Sequence, residues 1–333
     1  MGLIRFLLAI TIVIHHSYPL FGLLFLGRDA ALKAFYIISG FYMSLILNEK
    51  YIGKNGGYKL FITNRFFRIY PTYWLILLLT YIFEIILLHQ NILSQPPLNI
   101  LSDVTLLIRN DYLQINTDNR QLLTLPVAYT LVSELCFYIV APFIVKLSRK
   151  MLFILTGIAL FIHFLVQVIL RLNHNPAGDW FFPEIIIFFL LGVLSYEIYK
   201  VIKHKTFPKK YLVSTFILIL ALVISYSNIP FNYTFTSIIK FKEWIFLLIF
   251  LVSIPFIFKL TNKLSIDRII GETSYPIYLC HLLLINFFIQ IGVIKSQNSI
   301  TTIFFICVSV MFAFIIYLVF EKPIEKFRQK RLK

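Results

Sequence analysis

The chain has 333 residues, of which 59% are hydrophobic and only 14% charged, with a mean hydropathy of +0.84. A soluble domain carries about a quarter charged residues, so this composition excludes one and predicts an all-α, polytopic integral membrane protein. A net charge of +16 fits either nucleic acid or an asymmetric membrane topology, and the positions of the charges choose between them below. Cys136, Cys280 and Cys307 each fall singly in apolar runs, without the spacing of a metal site or a disulfide framework.

Apolar stretches of spanning length recur at about 3–26, 30–48, 69–89, 126–146, 151–171, 183–200, 211–228, 242–258, 272–291 and 300–320. They predict about ten transmembrane helices over 1–333 and no appended soluble domain. The first stretch is too long for a signal peptide and lacks a small-residue cleavage site. It carries Arg5, His15 and His16. A charge in hydrocarbon costs roughly 2.5–3.5 kcal/mol on insertion scales, so such groups point to function. Arg5 and His16 are eleven residues apart, about three turns, and share one face. At ~1.5 Å per residue they lie about 16 Å apart along the axis, which puts Arg5 at one surface and His16 near the midplane. A histidine of this kind serves either as a hydrogen-bonded bundle residue or as a proton-transfer group.

The second stretch contains FYIISGFYM, in which Ser39-Gly40 provides a notch for a neighbouring backbone. The third opens with NRFFRIYPTYW. Arg65 and Arg68 are three apart on one helical face and are suited either to anchoring at a membrane surface or to gripping a phosphorylated ligand. Between the third and fourth stretches runs a linker at about 90–125 holding Asp103, Asp111 and Asp118, and connections this long usually carry function or are disordered. The fourth stretch follows Pro126 and buries Glu134, which needs a partner. That partner is either Tyr138 at i+4, or His16 at similar depth, where a carboxylate would hold the imidazole in one tautomer and support it as a base. The ninth opens with GETSYPIYLCH, which puts Ser274 and His281 seven apart on a common face. Glu84 is another buried acid, with no role assigned. The chain ends in EKPIEKFRQKRLK, read as a solvated basic tail. There is no H-E-x-x-H, no glycine-rich phosphate loop, no dinucleotide fingerprint and no G-x-S-x-G, and no metal is expected.

With the N-terminus inside, 23 of the 31 Lys and Arg residues fall on inside linkers and ends, and 8 outside. The positive-inside rule then places both termini in the cytoplasm. The basic character is a topology signal, and nucleic acid is not expected as a partner.

In order, these pieces resemble the membrane-bound acyltransferase type 3 family, the O-acyltransferases of bacterial surface glycans. The family's R-x10-H falls on Arg5 and His16. Its F-F-x-x-S-G-F falls on Phe35, Tyr36, Ser39, Gly40 and Phe41, and its R-x-x-R with a following aromatic-Pro on Arg65, Arg68, Tyr70 and Pro71. Its W-S-L-x-x-E-x-x-F-Y falls on Tyr129, Thr130, Leu131, Glu134, Phe137 and Tyr138. Its late S-Y-x-x-Y-L-x-H falls on Ser274, Tyr275, Tyr278, Leu279 and His281, and its closing E-x-P on Glu321 and Pro323. Two departures stand out. Tyr129-Thr130 replaces Trp-Ser, and Lys33 stands where an acid commonly precedes the aromatic pair, with Asp29 nearby but out of register.

The resemblance implies transfer of an acyl group, most often acetyl, from cytosolic acyl-CoA to a hydroxyl of a surface glycan or lipid-linked sugar. It implies a place in the bacterial cytoplasmic membrane. It makes His16 the general base or acyl carrier, Glu134 its support and Arg5 its orienting or donor-facing cation. Arg65 and Arg68 become ligands for the CoA phosphates. Some relatives carry an appended extracytoplasmic esterase-like domain, and this chain is expected to act alone or with a partner. The competing expectation is a translocase of a glycan or polyprenyl-linked sugar, which would use the same buried polar groups as a path.

Overall fold

The computed structural model of the chain is described over residues 1–89, 97–106, 125–172, 182–228, 234–235 and 239–330. Its helices are α1 (Gly2–His16), α2 (Arg28–Ile46), α3 (Gly57–Leu87), α4 (Pro97–Thr105), α5 (Tyr129–Ile144), α6 (Arg149–Leu172), α7 (Phe182–Ile202), α8 (Lys209–Ser225), α9 (Phe241–Thr261), α10 (Ser265–Gln290), α11 (Ser299–Ile316) and α12 (Lys322–Lys330). A small antiparallel pair, β1 (Thr234–Phe235) and β2 (Ile239–Lys240), precedes α9. Each of the ten predicted spans contains a helix. Among the described residues, eight helices are long and apolar enough to cross a membrane. The protein is therefore an all-α polytopic membrane protein. The two remaining helices are α1, which is short, and α10, whose first turns are polar. Of the 90–125 linker, Asp111 and Asp118 lie outside the described residues.

Three boundaries differ from those expected, each for a local reason. The first span stops at His16 instead of running to residue 26. The Ser17 hydroxyl bonds back to Val13 O at 2.8 Å, Pro19 disfavours helix in the residue before it, and Gly22 and Gly27 take positive φ. The chain then crosses to the start of α11, where Thr302 Oγ1 donates to Tyr18 O at 2.8 Å. As a result α1 is 15 residues long, about 22 Å, and His16 is at its end. The third span starts at Gly57 and carries Pro71 within it. The basic tail is helical: α11 runs through a π turn, Tyr317–Glu321, into α12.

Two parallel helix pairs organise the bundle. Helix α1 runs alongside α10: Asp267 Oδ2 accepts from Gly2 N at 2.7 Å and Oδ1 from Leu3 N at 2.9 Å, while His16 meets His281 further along. Asp267 thus satisfies amides that the first turn of α1 leaves open. The pair is close enough that a Cβ on Gly271 would stand 2.6 Å from Gly2 Cα. Helix α2 runs alongside α7 in the same way. A Cβ on Gly40 would stand 2.1 Å from Phe189 O, and one on Gly192 2.1 Å from Ile37 O. Gly40 is the notch for a neighbouring backbone, and that backbone is α7. Stacked aromatic rings fill the space beneath the crossing, with Phe137 to Phe189 at 4.3 Å and Tyr36 to Phe189 at 4.8 Å.

Helix α4, part of the expected linker, folds back along α3 with its C-terminal end at mid-helix. Its last carbonyls have no partner within the helix, and in hydrocarbon they would be costly. Side chains of α3 satisfy them. Tyr70 Oη donates to Thr105 O at 2.6 Å, Tyr73 Oη to Asp103 O, and Trp74 Nε1 to Val104 O at 3.0 Å. Tyr81 Oη donates to the Asp103 carboxylate at 2.8 Å, so Asp103 is buried against α3 and does not lie in solvent. The YPTYW stretch is therefore a row of donors for a helix that dips into the bundle.

Candidate active site

One cavity of about 490 Å³ penetrates the bundle between α1, α2, α3, α5, α10 and α12. Its two ends differ in chemistry. One end carries Lys50, Arg5, Arg65, Arg68, Arg268 and Arg328 against the acids Asp267, Glu272 and Glu325. This is the end of the bundle with the basic linkers. Deeper, the lining turns to hydroxyls and one carboxylate: Ser39, Thr130, Glu134, Tyr138, Ser274 and Tyr278.

The basic end takes its residues from α1, α3, α10 and α12, with Lys50 from the π turn Leu47–Tyr51 after α2. Arg65 and Arg68 share a face of α3 but have different neighbours. Arg68 forms an ion pair with Glu272 of α10. Arg65 is 92% buried and makes no ion pair: its guanidinium stands 5.7 Å from the Phe61 ring, Nη1 is 3.9 Å from Met43 Sδ, and Nε has no partner. Arg5 lines the same cavity beside Gly271. Arg328 of α12 is equally buried, bonds Glu325 at 2.5 Å and leaves its Nε unpartnered. Sequence reasoning missed Arg328 because the terminal charges looked like a solvated tail. The available signal was the E-K-P-x-x-x-x-R context, Glu321 to Arg328, with apolar Ile324 and Phe327 between its charges.

At the deep end Glu134 accepts from Tyr138 Oη at 2.9 Å, the i+4 partner expected within α5. It makes no hydrogen bond or ion pair with His16, because α5 faces the cavity whereas the end of α1 faces α10. Thr130, standing at the position of the family's serine, keeps the hydroxyl: its Oγ1 donates to Tyr278 Oη at 2.8 Å, and Tyr278 Oη donates to Val127 O at 2.8 Å. Ser274 Oγ donates to Gly271 O at 2.7 Å. Lys33, the other departure, forms an ion pair with Glu243 of α9.

His16 does not line the cavity. Its ring is 5.3 Å from that of His281, which is 6.1 Å from the ring of Tyr278 in the cavity wall. His15 packs edge-on to His16 at 5.3 Å and is exposed. His281 is fully buried, and its Nδ1 faces Tyr278 O at 2.8 Å and Ile277 O at 3.3 Å. A carbonyl can only accept, so Nδ1 carries the proton, and Nε2 is left as an unpartnered acceptor. Arg5 and His16 both face α10, beside Gly271 and His281. Histidines thus run from an exposed ring to the wall of a cavity whose far end is basic. Among the described residues no cluster of His, Cys, Asp or Glu could hold a metal.

No curated protein and no solved structure matches the chain. A family model described as an acyltransferase domain matches residues 1–320, which takes in every helix but α12. The chain belongs to the acyltransferase type 3 family and is a membrane acyltransferase.

Proposed function

We propose that the protein moves an acyl group, acetyl in the simplest case, from acyl-CoA to a hydroxyl of a surface glycan or lipid-linked sugar. The observation that carries this reading is the polarity of the cavity. Its basic end suits the phosphates of CoA, since guanidinium groups bind phosphate oxygens through paired N–H donors. Its hydroxyl-lined end suits a pantetheine arm and thioester, and that end abuts the Tyr278–His281–His16 row. The basic linkers lie at the donor end, so by the positive-inside rule the donor enters from the cytoplasm. The acceptor approaches His16 from the opposite side.

In the direct route, neutral His16 takes the proton of the acceptor hydroxyl as its oxygen bonds to the thioester carbon. The C–S bond breaks, the electron pair leaves on sulfur, and the imidazolium returns the proton to the thiolate. In the two-step route a nitrogen of His16 holds the acyl group between two such transfers. Arg5 holds the donor in the cavity, and Glu134 with Tyr138 shapes the path of the thioester. The test is acyl transfer by the purified protein in nanodiscs, with acetyl-CoA and saccharide acceptors, read as free-thiol release and as one added acyl group by mass spectrometry. Acceptor-dependent thiol release that is lost in His16→Ala is expected. Folded protein that neither binds acetyl-CoA nor releases thiol would reject the reading. The corresponding experiment in cells is mass spectrometry of surface glycans with and without the gene.

A further inference from the structure

We infer that Arg328 of α12 and Arg65 of α3 together form a phosphate-binding site at the basic end of the cavity, which makes α12 part of the ligand site. The inference deepens the acyl-CoA reading and rests on it for the identity of the physiological ligand. Both residues are 92% buried, both line the cavity, and both have an Nε without a partner. A buried cation without sufficient counter-charge is costly, and a buried guanidinium N–H left unbonded adds to that cost. An anion entering the cavity would satisfy both groups.

The arrangement also separates the two arginines that the R-x-x-R spacing puts together. Arg68 is held by Glu272, whereas Arg65 makes no ion pair and has the Glu134 carboxylate only at longer range. The acid beside Arg328 is its own i−3 neighbour, Glu325, which engages one Nη and leaves Nε. The fork therefore spans α3 and α12, with Arg68 serving as a fixed brace. Helix α12 is seated for this purpose, with the Phe327 ring 5.7 Å from that of Phe67 on α3. The family match ends at residue 320, before α12, so nothing in it assigns this helix a role.

The shared chemistry is a phosphate, which either free CoA or an anionic phospholipid headgroup could supply. The experiment is calorimetric titration of the full chain in neutral-lipid nanodiscs with CoA, 3′-dephospho-CoA, pantetheine and short-chain phosphatidylglycerol. It uses wild type, Arg328→Gln, Arg328→Lys, Arg65→Gln and the exposed control Lys326→Gln on the same helix. We expect CoA to bind about tenfold more weakly to Arg328→Gln and to Arg65→Gln, with Arg328→Lys in between because it keeps charge without the planar fork. Lys326→Gln should match wild type, and pantetheine should bind every variant alike. Wild-type affinity for CoA in Arg328→Gln would overturn the inference and leave the donor reading intact. Arg328-dependent binding of phosphatidylglycerol without any binding of CoA would keep the phosphate site and reject acyl-CoA as its ligand. Binding of no phosphate compound by folded wild type would overturn both. If Arg328→Gln does not fold, Arg328→Lys and the wild-type contrast between CoA and pantetheine decide, since equal affinities for those two ligands would remove the phosphate site.

Discussion

A histidine at the end of a helix has neighbours that one inside a helix lacks, and His16 ends α1. It meets His281 of α10 on one side and exposed His15 on the other. The eleven-residue spacing from Arg5 was enough to indicate which histidine faces inward. The partner was not legible, because it depends on α1 and α10 running parallel, which no local pattern encodes. Glu134 illustrates the same limit. Its i+4 contact with Tyr138 could be read from helical periodicity, whereas its separation from His16 could not. If His16 is the base or carrier, His16→Ala should abolish acyl transfer at matched protein level with CoA binding near wild type. Asn or Gln at position 16 should not rescue, since neither accepts a proton near neutral pH. His15→Ala should retain substantial activity. Transfer assays on these variants check it, and an active His16→Ala beside a dead His15→Ala would reverse the assignment. Glu134→Gln keeps the Tyr138 hydrogen bond but removes the charge, so a partial loss of rate is expected, to be read as a split between kcat and KM.

At the scale of elements, the informative stretches were those whose chemistry is unusual for a membrane helix. In the sequence Tyr70 reads as the aromatic after R-x-x-R, and Tyr73 and Trp74 carry no assigned role. They are donors to the open carbonyls at the end of α4, and the dipping of α4 into the bundle is a tertiary event absent from any hydropathy profile. Removing one donor while keeping the ring isolates this function. Tyr73→Phe leaves a buried carbonyl unsatisfied, which costs roughly 1–3 kcal/mol. Thermal unfolding in detergent should shift downward for Tyr73→Phe, and protease cleavage within 90–125 should accelerate. Unchanged stability and cleavage would mean that α4 is not held this way. The glycine pair at the α2–α7 crossing makes a parallel case. A Cβ at Gly40 would meet the Phe189 carbonyl at 2.1 Å, closer than any side-chain motion can relieve, so Gly40→Ala must push two backbones apart. Overpacking typically costs about 1–3 kcal/mol. Gly40→Ala should therefore lower the unfolding temperature, whereas alanine at Gly157, which has open space around it, should not.

For the molecule as a whole, membrane class and the places of the apolar helices, eight of them of spanning length among the described residues, followed from composition and run length, because lipid leaves helices as the solution for long apolar segments. The extents of α1 and α12 did not follow. Pro19 and two positive-φ glycines shorten the first, and the second meets α3 through Phe327 and Phe67, although its basic composition made it look solvated. The fold and the charges bear on different parts of the topology. By the positive-inside rule the charge count gives the expectation of cytoplasmic basic linkers. The parallel pairs α1–α10 and α2–α7 require an even number of crossings from one partner to the other, which alternation across ten helices supplies. Basic linkers at 49–59, 203–208 and 262–264 must then share a side with α12, and the 291–298 connection must lie opposite. The basic linker after α7 is also fastened at that end, since Lys259 Nζ donates to Ile202 O at 2.9 Å and Lys203 O at 3.1 Å. A topology reporter inserted at Lys205 or fused after Lys333 should therefore read cytoplasmic, and one inserted at Gln297 should read extracytoplasmic. Lys205 and Gln297 reporting the same side would break the alternation and, with it, the parallel pairing that brings His16 to His281. Opposite sides with the signs exchanged would keep the fold but turn the basic end of the cavity outward, away from cytosolic acyl-CoA.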